Sequence, residues 1–211
     1  MKIAFINGSP KVKDSASGLI LEDLKTFIND SSRISEYSFR KAYITEEEMS
    51  KLSECDALVF AFPLYVDGIP SHLLSCLMEL EEYFKRVKNS NIKVYAMVNS
   101  GFYEGEQNKL AIEIMENWCY KAGLIWGQGL CIGAGMIMHS VIKVPPGHGP
   151  KKNLGNALKV LGENISKRNS GENLCITANF PKSLYRISGN FGWIQSAKKN
   201  GLKKKDLSRR L

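Results

Sequence analysis

The chain has 211 residues, 44% hydrophobic and 24% charged, the composition of an ordinary soluble globular protein with enough apolar mass for a full core. Its net charge of +8 is local: residues 1–178 carry 20 basic and 20 acidic side chains, whereas residues 179–211 carry nine basic ones and one acidic one, Asp206. Electrostatic arguments about partners therefore concern the tail alone. The five cysteines, at 55, 76, 119, 131 and 175, form no C-x-x-C pair, which excludes a zinc ribbon or a compact iron–sulfur motif and gives no disulfide framework.

The pattern alternates short apolar runs with helical periodicity. Lys2–Ile6 reads as a strand that ends at Asn7-Gly8-Ser9-Pro10. A helix face follows from Leu19 to Ile28, then a strand over Arg33–Phe39. Ala57–Phe62 is continuously apolar, as in a strand covered on both faces of a parallel sheet. Pro70 opens a helix whose stripe is Leu73, Leu74, Leu77, Leu80 and Phe84. Ile92–Val98 is the next strand, residues 111 to 122 the next helix, and Leu124–Ile132 the next strand. Pro145–Pro150 is a loop, and Leu154, Leu158, Leu161 and Ile165 mark a last clean helix. Five strand–helix alternations by residue 170 predict a parallel α/β sheet with helices on both faces. The expected organisation is a sheet domain over 1–170 and an extension over 171–211, aromatic and then basic.

Ala122–Ile142 holds no charged residue over 21 positions, but five glycines with Gln128, His139 and Ser140 break it up. A buried strand running into a glycine-rich loop fits better than a membrane span, so no transmembrane segment is expected. With no signal-peptide pattern at the N-terminus, reduced thiols and a cytoplasmic location are the expectation.

In a sheet of this class, ligands bind beyond the carboxyl ends of the strands, where the strand order reverses. The loops after the first, third and fourth strands are all unusual. The first, Asn7 to Ser17, runs from a strand into a helix and offers Gly8, three serines and two lysines. Such a spot attracts an anion, most simply a phosphate; equally, Ser15 or Ser17 serves only as a helix cap. It is neither a Walker A motif nor a G-x-G-x-x-G fingerprint. The second loop, Phe62 to Pro70, is apolar where a surface loop should be polar. Tyr65 and its neighbours suit either a flat aromatic ligand or packing onto the next helix. The third, Asn99 to Glu106, places glycine beside Phe102 and Tyr103. Together the three loops imply a ligand with a phosphate at one end and a planar heterocycle at the other.

The segments MKIAFINGSPK, DALVFAFPLYVDGIPS and NSGFYEG resemble the flavodoxin-like NAD(P)H-dependent FMN reductase family over roughly residues 1–140. The resemblance implies a three-layer flavodoxin-like fold with a five-stranded parallel sheet ordered 2-1-3-4-5. It implies that Ser9, Lys11, Ser15 and Ser17 hold the FMN phosphate. Pro63, Leu64, Tyr65 and Val66 would line the isoalloxazine, and Asn99, Gly101 and Phe102 would meet its pyrimidine edge or face. The implied function is an FMN-dependent oxidoreductase. It takes electrons from NADPH or NADH and passes them to a small acceptor such as a quinone, a nitro compound or free flavin. Relatives with an iron–sulfur cluster carry a compact Cys motif that this chain lacks, so flavin would be its only redox centre. Lys11 stands where many relatives have Arg, keeping the charge but losing the bidentate fork.

The resemblance leaves two alternatives: an electron carrier of the flavodoxin type, and a flavin-free module that binds a phosphorylated ligand. Carriers of this fold are usually acidic around the flavin, whereas this body is neutral. The chemistry would belong to the flavin, so no catalytic acid or base is assigned. His72 reads as a surface or cap residue, and His139 and His148 have no metal-ligand spacing with any cysteine. Gly133-Ala134-Gly135 reads as close packing near the ring. Aromatic loops at the site suit a homo-oligomer, a dimer or tetramer, that completes the pocket. The basic tail, Lys198 to Arg210, is either a solvated end or a contact for an acidic partner or surface.

Overall fold

The computed structural model describes residues 1–29, 31–88 and 91–208. In chain order the elements are β1 (Lys2–Asn7), α1 (Ala16–Lys25), β2 (Arg33–Ser38), α2 (Glu46–Ser53), β3 (Ala57–Pro63), α3 (Ser71–Val87), β4 (Lys93–Asn99), α4 (Lys109–Lys121), β5 (Ile125–Ile132), α5 (Lys152–Lys167), β6 (Leu174–Ile176) and α6 (Lys182–Lys199). They fall into two units, Met1–Ala178 and Asn179–Leu211.

In the first unit every strand pair is parallel, and the order is β2-β1-β3-β4-β5-β6. The expected 2-1-3-4-5 order is present, but the sheet has six strands rather than five. The sixth pairs Leu130 with Leu174, Cys131 with Cys175 and Ile132 with Ile176. Three half-buried residues have too little length for a strand pattern to show in sequence. Because β6 is part of the first unit, the sheet unit extends past residue 170.

Side-chain alternation along the strands builds two cores. Ile6, Leu58, Phe60, Phe62, Val94 and Val98 face α2, α3 and α4. Ile3, Phe5, Val59, Met97, Leu130 and Ile132 face α1 and α5. β3 is therefore buried over six consecutive residues, which explains its unbroken apolar run. On the first face, Phe60 and Trp118 pack edge to face at 5.6 Å between centroids, and the indole N–H of Trp118 donates 2.7 Å to the Leu77 carbonyl. This ties α4 to α3. On the second face, Lys151 is buried just before α5, and its Nζ lies 2.5 Å from Asp23 Oδ2 on α1.

α2 was not expected from periodicity, since it presents only Met49 and Leu52 to the core. Its start is nonetheless written in the chain: Thr45 caps the Glu48 amide while the Glu48 carboxylate accepts from the Thr45 amide at 3.0 Å.

All five cysteines are free thiols, four of them buried. Burial pushes the Cys55 and Cys76 thiols up to about 11 and Cys119 up to about 12. No helix among the described residues is long and apolar enough to cross a membrane.

The second unit is α6 and a short 3-10 turn at Lys204–Ser208. Its chain end closes through Leu202 N–H on the Ala197 carbonyl (2.9 Å) and Lys203 N–H on Asp206 Oδ2 (2.8 Å). Of the basic cluster, Arg209 and Arg210 lie outside the described residues.

Candidate functional site

β2 and β3 leave β1 on opposite sides, so the order reverses at the carboxyl ends of β1 and β3. The chain after β1 is anchored there residue by residue. Gly8 N–H donates to the Ala61 carbonyl (2.9 Å), and the Gly8 carbonyl accepts from His72 Nε2 (3.1 Å). A carbonyl only accepts, so Nε2 carries the hydrogen. His72 thus joins the first loop to the start of α3. A Cβ at Gly8 would stand 2.6 Å from Leu73 Cδ2 and 3.2 Å from Phe62 Cβ, so the approach of these elements requires glycine.

The serines of this loop differ in role. Ser15 is the N-cap of α1: its Oγ accepts from Gly18 N–H at 3.0 Å and from Asn7 Nδ2 at 3.1 Å. Ser9 Oγ accepts from Lys11 N–H at 3.4 Å, and Ser17 Oγ accepts from Asn99 Nδ2 at 2.7 Å. All three hydroxyls are buried, and within the described residues none of them donates. Each keeps its proton for a further acceptor.

The loop after β3 begins with Leu64 N–H on the Asn99 carbonyl (2.8 Å). It then reverses tightly. Tyr65 and Gly68 exchange both backbone bonds (3.1 and 3.0 Å), with Val66 and Asp67 both left-handed at φ 48° and 56°. This is the geometry of a type I′ turn, which favours Asn-Gly and strains a β-branched residue. Val66 is fully solvent-exposed there.

The loop after β4 is held by its backbone. Ser100 N–H donates to the Ile132 carbonyl (3.1 Å), and the Ser100 carbonyl accepts from Gly135 N–H (2.7 Å). Asn99 sends one amide hydrogen to Ser17 and the other to the Phe62 carbonyl (3.0 Å). At this loop's start the Ser100 Oγ, with Ser100 only 6% exposed, makes no hydrogen bond within the described residues.

These loops meet in one open cleft of about 260 Å³. Ser9, Lys11 and Ser17 line it, together with Pro63, Leu64 and Tyr65. Asn99 and Gly101 also line it. Eight of the eleven sequence-predicted residues therefore come together. The other three do not line it: Ser15 lines a neighbouring hollow of about 210 Å³ beside Lys13 and Arg40, and Val66 and Phe102 line neither. Sequence reasoning missed Ala16, Ser100, Gly135, Met136 and His139, which also line the cleft. His139, which has no metal-ligand spacing with any cysteine, arrives on the 3-10 turn Gly135–His139 after β5. The signal that pointed there was the run of small residues at 133–135. A Cβ on Gly133 would stand 2.1 Å from the Tyr103 carbonyl oxygen, so the chain packs closely there, though Gly133 itself does not line the cleft.

Within the described residues no carboxylate lines the cleft, while Lys11 stands at it and α1 points its N-terminal turn there through Ala16 and Ser17. Hydroxyl protons, an ammonium and free helix N–H groups favour an anion. Pro63, Leu64, Tyr65 and Met136 give the cleft apolar lining as well.

The sequence matches no protein-family model and no curated protein. The fold does match solved structures. A NADPH-quinone reductase from P. pentosaceus superposes with a TM-score of 0.57 at 14% identity, over 79% of this chain and 98% of that one. An FMN-dependent NADH-azoreductase from Bacillus anthracis, in complex with FMN, does so with 0.52 at 14% identity, over 79% and 100%. An NAD(P)H:quinone oxidoreductase from Methanothermobacter marburgensis gives 0.52 at 15% identity, over 78% and 96%. Strand order, two-faced core and these superpositions agree: the chain has the flavodoxin-like fold, extended by a sixth strand.

Proposed function

We propose that the cleft binds FMN and that the protein is an oxidoreductase passing electrons from NADPH or NADH to a small acceptor such as a quinone or nitro compound. The observation that carries this reading is the meeting, in one cleft, of hydroxyl donors and Lys11 with an apolar stretch and the unpaired Ser100 hydroxyl. A buried hydroxyl without a partner costs about 1–3 kcal/mol. A ligand that accepts from it removes that cost, and the heteroatom-rich edge of a flavin supplies acceptors. The residues therefore fit the cofactor, and proteins of the same fold are described as FMN- and NAD(P)H-dependent.

In this reading Ser9 and Ser17 donate to the phosphate and Lys11 neutralises it, while the α1 cap by Ser15 keeps the helix N-terminus in place. Pro63, Leu64, Tyr65 and Met136 exclude water from the ring, and Ser100 and Gly101 meet its edge. Bound FMN supplies two-electron exchange with a nicotinamide. The chain's own task is to orient the two rings and keep bulk water from them. The acidic surroundings expected of a pure electron carrier are missing from the cleft lining.

The test is an anaerobic titration of the protein with FMN, then NADPH or NADH, then a quinone. A bound-flavin spectrum that bleaches with the nicotinamide and returns over many turnovers is the expected result. Failure to retain flavin overturns the cofactor assignment, and retention without turnover overturns the enzyme. Lys11→Ala and Ser17→Ala should each weaken FMN binding about tenfold, the loss of one charge-assisted or hydroxyl bond.

A further inference from the structure

We propose that the C-terminal unit docks on an anionic lipid surface, with α6 lying in the interface. The argument rests on that unit alone and is independent of what the cleft binds. α6 spans 18 residues without one carboxylate. Leu184, Ile187, Phe191 and Ile194 fall at spacings of three and four, on one side of the helix. The first three are 47%, 62% and 61% exposed, and Trp193 on the same helix is 63% exposed. Large apolar side chains left open in a row mark a surface that something else covers.

The helix itself needs that cover. Gly189 and Gly192 sit in its interior with nothing within 4 Å of where a Cβ would stand. Each weakens the helix by about 1 kcal/mol relative to alanine. A helix so weakened draws its stability from the surface that its apolar side meets.

Charge selects the surface. Lys198 and Lys199 end the helix, and Lys203, Lys204 and Lys205 follow it directly. A second copy of this unit would bring like charge against like, and the first unit is neutral by count. An anionic bilayer answers both halves of the pattern, with headgroups for the lysines and the acyl boundary for Leu184, Ile187 and Phe191. The helix lies on the membrane and does not cross it, since it is too short and too polar to span.

The test is sedimentation of the full-length protein with phosphatidylcholine vesicles, with and without about 30 mol% phosphatidylserine. Binding is expected only to the anionic vesicles and should fall steeply with salt. Trp118 and Trp126 are buried in the first unit, so in a variant carrying Trp193→Phe and Phe191→Trp a blue shift of tryptophan emission on binding reports position 191, on the apolar row. At about fivefold per cation, Lys203→Glu, Lys204→Glu and Lys205→Glu together should weaken binding at least 100-fold. Phe191→Ser should weaken it at unchanged charge. No binding, or equal binding to neutral vesicles, overturns the proposal. So does binding that is indifferent to Phe191→Ser with no blue shift, which would mean a flexible polycation only. Binding to RNA but not to vesicles overturns it too. FMN retention is read separately, so neither result bears on the other.

Discussion

Asn99 at the end of β4 and Ser17 in the first turn of α1, 82 residues apart, are joined by a 2.7 Å hydrogen bond inside the protein. The same amide donates to the Phe62 carbonyl, so one side chain holds the ends of β3, β4 and α1 together. Asn99→Ala deprives two buried acceptors of their donor. It should cost about 1–3 kcal/mol of stability and, through Ser17, weaken FMN binding as well. Urea unfolding and a flavin titration check the two halves. Asn99→Asp should be worse, because its carboxylate would face the Phe62 carbonyl with no hydrogen to give.

Val66 carries a branched side chain in a left-handed turn and buries none of it. Val66→Gly relieves the strain at no packing cost and should stabilise the protein by about 1 kcal/mol. For a chain of this length that is about 2–4 °C in melting temperature. Val66→Ile, which keeps the branch, should leave it unchanged. A glycine variant that melts lower would show the turn to be stabilised by something other than its dihedral angles.

The Lys151–Asp23 pair joins α1 to the start of α5, with Lys151 buried and Asp23 half-buried. Burial raises the Asp23 carboxyl above its ordinary value, opposed by Lys151. Lys151→Met leaves a half-buried carboxylate alone and should cost about 3–5 kcal/mol at pH 7. Adding Asp23→Leu should recover most of it. A carboxyl raised on folding holds its proton more tightly in the native state than in the unfolded chain. Its penalty is therefore full above the folded value and fades as pH falls toward 3.8, the unfolded value. The single variant should thus lose less stability at pH 5 than at pH 7, a difference that urea midpoints at the two values measure.

The raised thiols set the alkaline limit. Cys55, Cys76 and Cys119 ionise near 9 when unfolded but only at about 11, 11 and 12 when folded. Between those values the unfolded chain has released protons that the native state keeps, so stability falls as pH rises. The slope is about 1.4 kcal/mol per pH unit for each fully shifted thiol. Cys119→Ala should flatten the denaturation profile between pH 9 and 11 while costing some packing at pH 7. An unchanged slope would assign the alkaline loss elsewhere.

Much of the sheet was legible because parallel strands buried on both faces need unbroken apolar runs, and Ala57–Phe62 is one. α2 was not, because an eight-residue helix with two core contacts has almost no periodicity, although its Thr45–Glu48 box was readable. β6 was beyond reach at three residues. The cleft was legible where it depends on strand ends, since the switch-point rule needs only their order. Ser100, Met136 and His139 were not, because the turn after β5 reaches the cleft by folding back, with Gly135 N–H on the Ser100 carbonyl. Ser15 caps α1, one of the two roles open to it in sequence, and lines the neighbouring hollow.

Gly8 is gripped from three directions, its N–H by Ala61, its carbonyl by His72 and its open face by Leu73. The tip of the same loop is different: Val12 is 70% exposed and Asp14 is left-handed at φ 51°. The segment is therefore a span held at both ends, by Gly8 and by the Ser15 cap, with an exposed middle. In the proposed reading, an anion at Ser9 would meet donors that have already lost their freedom, so little ordering entropy would oppose its capture.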